Sequence, residues 1–321
     1  MKHFIFLQIL FLCVTGCGKR ESKSVVLYTS VDQPIAAKVI AEFEKESGIK
    51  VQLVTDSEAT KSVGLAERLR AEKSSPRAQV WWGNEPFYTI QLASEGLLLP
   101  YESPSAADIP ARLKDARWVG SGVRVRVIVE HRAEMTVRLE GIGKVTHLDD
   151  LLRPECKDRI AIARPTAGTT GGHVAALYVL WGEDKANQFF KGLHDNGVKI
   201  LGGNSVVAES VANATIYWGL TDNDDAAGVS IDAKMILPDQ DGIGTLAIPT
   251  TVGLVQDSPE ARKLVDYLAS KRTEQQLIDA KFAYASVRET VKLKRMDVDL
   301  TEVAKAMPEA IRKATAILEG R

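Results

Sequence analysis

The order of strand-like and helix-like segments predicts an α/β protein built as two lobes with a ligand cleft between them. Three observations carry this. Between residues 24 and 96, short β-rich runs alternate with amphipathic helical ones. The same alternation returns between 159 and 213. Two long β-rich segments, 122–131 and 244–255, are placed to carry the chain from one lobe to the other and back as a pair of hinge crossovers.

Taken in order, Ser24-Val-Val-Leu-Tyr-Thr-Ser30 reads as a strand, residues 35–46 as a helix closed by Gly48, and Ile49-Lys-Val-Gln-Leu-Val54 as the next strand. A helical pattern at 61–73, a strand at 78–82 and a helix at 86–95 follow, the last capped by Gly96. This spacing predicts parallel strands joined by right-handed crossovers. In the second lobe the expected elements are a strand at 159–163, helices at 169–181 and 185–192, a strand at 198–201 and a helix at 205–213. After Asp257-Ser-Pro259 the chain reads as helices at 260–271, 273–280 and, beyond Pro308, 309–318. The expected division is 25–121 with 256–321 for the first lobe, and 132–243 for the second.

The amino-terminal end carries a different signal. Met1-Lys2-His3 precedes an apolar run, Phe4 to Cys13, too short for a permanent membrane span, so residues 1–16 read as a signal peptide. Val14-Thr-Gly-Cys17 resembles the bacterial lipobox. That resemblance implies a mature chain beginning at a lipidated Cys17, with residues 17–24 as a polar tether holding the protein to a bilayer at the cell envelope or in the periplasm. An ordinary secretory signal or an uncleaved anchor is the alternative. Cys156 then stands alone in the exported body, and no disulfide framework is available. With 41 Lys+Arg against 42 Asp+Glu, the chain lacks the basic excess of a nucleic-acid binder. Signatures of a Gly-x-Ser-x-Gly elbow, a phosphate-binding loop and a dinucleotide fingerprint are missing, so neither an enzyme nor a catalytic cofactor is expected.

Four strings, Tyr28-Thr-Ser-Val-Asp-Gln-Pro34, Trp81-Trp-Gly-Asn-Glu85, Arg164-Pro-Thr-Ala-Gly-Thr-Thr170 and Gly219-Leu-Thr-Asp-Asn-Asp-Asp225, resemble in their order the extracellular solute-binding proteins of ABC importers. The nearest branch binds ferric iron on a transferrin-like, two-lobed fold. The resemblance implies a monomer that hands a small ligand to a permease, with the ligand held where strand ends and helix amino termini meet. The sequence departs from the iron branch at the metal ligands: Val31-Asp32-Gln33 brings no histidine, and Asp224-Asp225 stand where that branch has paired tyrosines.

The candidate site residues divide by chemistry. Asp222, Asp224 and Asp225 form a dense acidic cluster, and Asp32 and Glu85 are placed to approach it from the first lobe. Carboxylates suit a hard cation, so Asp32, Glu85, Asp224 and Asp225 are the candidate ligands for ferric iron or another metal carried with an anion. The alternative is that the cluster caps a helix and faces solvent. Thr166, Gly168, Thr169 and Thr170 lie between a strand and a helix, where free N–H groups and hydroxyls suit an anion; simple N-capping is the alternative. Asn204 and Ser205 open a second helix, and Ser30 and Asn84 close two strands of the first lobe. One of Trp81 and Trp82, and the pair Tyr217-Trp218, are candidates for the cleft, as is His173 one turn into its helix. The acidic cluster favours a cation and the threonine turn an anion, so an organic anion such as a phosphonate or sugar phosphate competes with the metal. A periplasmic hydrolase and a receptor-associated sensor of the same fold are the other readings.

Overall fold

The computed structural model describes residues 23–56, 62–132, 144–166, 168–229 and 232–321; the signal segment and Cys17 lie outside them. The chain starts with β1 (Ser24–Thr29), α1 (Gln33–Ser47), β2 (Lys50–Thr55), α2 (Val63–Ala71), β3 (Val80–Gly83) and α3 (Pro86–Ser94). Helix α1 shows how locally these boundaries are set. Pro34 occupies its first turn, Ala36, Val39, Ile40 and Phe43 form the buried stripe, and Gly48 ends it with φ 68°.

The long strand β4 (Val119–His131) leads to β5 (Ile160–Ala163), α4 (Gly168–Trp181), α5 (Glu183–Asp195), β6 (Lys199–Leu201), α6 (Asn204–Ala212), β7 (Trp218–Asp222), α7 (Asn223–Gly228) and β8 (Ala233–Ile236). Then β9 (Ala247–Leu254) returns, followed by α8 (Pro259–Leu268), α9 (Lys271–Asp279) and α10 (Leu300–Leu318).

The strands lie in the order β2-β1-β3-β9-β4-β7-β5-β6, with β8 also paired to β4. The expected parallel pairing holds at the two ends, where β1 runs with β2 and β3 and β5 runs with β6 and β7. It fails in the middle, where β4 and β9 are antiparallel to each other and to their outer neighbours β7 and β3. Strand β4 serves both ends: Val119 to Val125 pair with β9, and Arg126 to Glu130 with β7.

Two hydrophobic clusters cover the two faces of the sheet. Alternation sends Leu27 and Trp82 into one and Tyr28 and Trp81 into the other. Both tryptophans are fully buried, which corrects the expectation that one of them lines the cleft. Cys156 is also fully buried, and burial pushes its thiol up to about 11.

Helix α10 begins well before Pro308, not after it as the sequence suggested. Asp299 caps it, accepting from the N–H groups of Thr301 and Glu302. Pro308 has no N–H to offer the carbonyl of Ala304 one turn back, and Gln91 of α3 supplies the missing donor at 2.9 Å. The lost bond is replaced by a tertiary one, so the helix continues. Two glycines of α4 allow close packing. A Cβ at Gly171 would lie 2.8 Å from Ile311 and 2.9 Å from Met307 of α10, and one at Gly172 would lie 1.9 Å from the ring of Phe87 in α3.

Candidate functional site

The centre of the site is set by strand register. Antiparallel pairing of β4 with β7 places Arg126 directly opposite Asp222, and its Nη1 donates to Asp222 Oδ1 at 2.7 Å. Arg124, two residues earlier and therefore on the same face, donates from Nη2 to Asp222 Oδ2 at 3.0 Å and to Asp224 at 2.6 Å. Its guanidinium also stacks over Phe282, 4.6 Å from the ring centroid. Arg124, Arg126 and Asp222 are each 1% exposed, so the charges must be satisfied by one another. Burial pushes the Asp222 carboxyl up, but the two guanidiniums outweigh it and hold it below the usual carboxylate range.

Two helix amino termini converge on this group. Thr169 at the start of α4 donates its hydroxyl to Asp222 Oδ2 at 2.6 Å, and Asn204 at the start of α6 donates to both Thr169 and Asp222. Arg126 Nη1 reaches Asn204 Oδ1 at 3.0 Å, which also accepts from Thr170. What remains is a set of buried nitrogens with no partner among the described residues: Nε and Nη2 of Arg126, Nε of Arg124 and Nε2 of His173. Burial, then the Arg126 charge, lowers His173 to about 3, so its ring is neutral at working pH. A guanidinium with unmet donors, beside hydroxyls and two helix amino termini, is suited to an oxyanion.

Beside this pocket lies a groove of about 250 Å³ lined by Asp32, Ser205, Asp224, Asp225 and Phe282. Asp32 thus comes from the β1 end of the sheet to the same groove as the acidic cluster, whose three carboxylates lie within 4.8 Å of one another. Burial, opposed by Arg124, raises Asp224 to about 6.

Glu85 does not join this group. Its carboxylate is fully buried and turns into its own helix, accepting from the N–H groups of Phe87 at 2.6 Å and Tyr88 at 3.3 Å. It is the N-cap of α3, and burial raises it to about 7. Ser30 and Asn84 are buried together, and Ser62 closes the trio at 3.1 and 2.8 Å. Gly168 is the first residue of α4, with φ 59°, while Thr166 before it is exposed and, among the described residues, makes no bond to the pocket. Tyr217 and Trp218 sit at the other end of β7 from Asp222, where Trp218 donates to Glu130 and Arg159 covers Tyr217. Sequence reasoning missed Arg124, Arg126 and Ser62. Both arginines lie in the alternation Val-Arg-Val-Arg-Val of a strand whose residues are all buried, which the sequence pattern alone does not show.

This is the architecture of a protein that holds a small solute between two α/β halves. The chain belongs to the bacterial extracellular solute-binding proteins, whose family pattern it matches over residues 25–282. Iron uptake protein A1 of Synechocystis sp. is 27% identical over 288 residues, 82% of this chain and 76% of that protein. The solved structure of the ferric binding protein from Campylobacter jejuni superposes with a TM-score of 0.80 at 21% identity, covering 91% of this chain and 99% of that one. The periplasmic binding protein AfuA from Actinobacillus pleuropneumoniae, solved with exogenous fructose 6-phosphate bound, gives 0.78 at 23% identity, covering 93% and 99%. Among the described residues no helix is long and apolar enough to cross a membrane.

Proposed function

We propose that this chain is the substrate-binding component of an ABC importer that closes around a small solute bearing an oxyanion, seated against Arg126 at the amino termini of α4 and α6. The observation that carries the reading is the buried Arg126 guanidinium, its Nε and Nη2 unpartnered among the described residues, beside Thr169, Thr170 and Asn204. Arg124 ties up Asp224, which weakens the cluster as a bare cation site and moves the anion ahead of the metal. A second reading, ferric iron carried with an anion, is favoured by the three carboxylates within 4.8 Å and by the iron-named relatives. In it Arg126 holds the accompanying anion, and Asp32 faces the metal from the first lobe. The two lobes would be the segments 25–121 with 256–321 and 132–243, hinged on β4 and β9.

Calorimetry with fructose 6-phosphate and with ferric citrate separates the readings. Expected is one-to-one binding of the phosphate ester that survives replacement of Asp225 by Asn. Binding of ferric citrate alone, lost on that replacement, would favour the metal. We also propose the lipid anchor at Cys17. Cys17→Ser is expected to move the protein from the membrane fraction to the soluble one, and an unchanged distribution would exclude it.

A further inference from the structure

Away from the strand ends, a larger groove of about 1040 Å³ runs between α3, residues 111–118 and the segment 289–301 that leads into α10. Its accessible apolar surface comes from the half-buried Val291, Leu293, Val298 and Leu300, over the buried Trp118 and Met296. Four cationic side chains line it, and two of them are already engaged: Lys114 donates to the carbonyls of Ala106 and Ala107, and Arg117 to that of Leu98. The guanidiniums of Arg112 and Arg295 have no hydrogen bond or ion pair among the described residues. Of the acids along the groove, Asp115 accepts from the backbone of Arg117 and Trp118, and Asp299 caps α10. Glu289 and Asp297 are exposed and pair with neither arginine.

Arg295 is half-buried and rooted in place. Thr245 brackets it, donating to Lys294 O at 2.9 Å and accepting from Met296 N at 3.0 Å. Gly244 makes room for it with φ 84°, since a Cβ there would lie 2.7 Å from the Arg295 carbonyl carbon. Burial, with Arg112 as the charged neighbour, holds Arg295 below the usual arginine range, the signature of a cation lacking a counter-charge.

We propose that this groove is a second binding site, for a single-tailed amphipathic organic anion whose carboxylate lies between Arg112 and Arg295 and whose chain covers Leu293, Val298 and Leu300. Two guanidiniums without partners beside an apolar floor complement such a ligand in charge and in surface.

The test is calorimetry of the full chain with dodecanoate below its micellar concentration. Expected is one-to-one binding that dodecan-1-ol matches at least about 10-fold more weakly and that saturating fructose 6-phosphate does not displace. Arg295→Met, which keeps an apolar stem, should weaken dodecanoate at least about 10-fold while leaving the melting temperature unchanged, a loss of about 1.4 kcal/mol. Equal affinity for acid and alcohol, or native affinity in the Arg295→Met protein, would overturn the proposal. So would binding to anionic vesicles without binding of monomeric dodecanoate.

Discussion

Replacing Arg126 by methionine is expected to lower affinity for fructose 6-phosphate by about 1.5 to 3.5 decades. The guanidinium is 1% exposed, so its contact with a bound oxyanion is desolvated on the protein side. Losing a buried, hydrogen-bonded charge contact costs about 2–5 kcal/mol, and each 1.4 kcal/mol is about tenfold. The fold should tolerate the change, because Asp222 keeps Arg124, Thr169 and Asn204 as donors. Arg126→Lys, which retains the charge and loses the planar fork, should fall between the two. Calorimetry on the three proteins, with circular dichroism to show that each is folded, checks the order. Native affinity in the methionine variant would remove Arg126 from the site and with it the main support for an anionic ligand.

The second large effect is on stability. Gly172→Val should destabilise the protein by about 3 kcal/mol or more, at the top of the usual range for overpacking. A Cβ at this position falls 1.9 Å from Cε2 and 2.3 Å from Cδ2 of Phe87, far inside contact distance. The ring cannot swing away, because Phe87 is fully buried. Gly→Ala in a helix interior gains about 1 kcal/mol from propensity, but valine forgoes much of that, so the clash decides the sign. Phe87→Ala alone leaves a cavity and should cost about 3–5 kcal/mol. Combined with Gly172→Val, it should cost less than the sum, because the added methyls occupy the space the ring leaves. Thermal melts of the two single variants and the double variant read this directly. Strictly additive costs would show that α3 and α4 do not meet through these two residues.

Most of the element order was legible because its signals are local. Gly48 ends α1 in the left-handed conformation only glycine adopts at no cost, and alternation along β1 sorts its side chains between the two faces. The failures came where a distant segment decides. Pro308 reads as a helix start until Gln91, from α3, is seen to satisfy the Ala304 carbonyl. Glu85 ends a strand, as a ligand would, yet the next residue is Pro86, and the carboxylate instead caps the helix that proline opens. Asp222 and Asp224 were visible as an acidic cluster, but Arg124 and Arg126 lie about a hundred residues earlier and become their partners only through the pairing of β4 with β7. Charge alternation in a strand ordinarily marks a solvent-facing side, so nothing in the local pattern required both arginines to be buried.

The buried Cys156 thiol makes the protein convenient for optical work. Its thiol titrates near 11 and is fully enclosed, so maleimide dyes at neutral pH should pass it by. It is the one free cysteine among the described residues, and a soluble form beginning at Lys23 therefore needs no cysteine removed before labelling. New cysteines at exposed positions in the two halves, such as Lys45 and Lys191, would carry a donor and an acceptor fluorophore. Energy transfer between them would then test the proposed closure one molecule at a time, and a change on adding solute would make the same labelled protein a reagentless sensor.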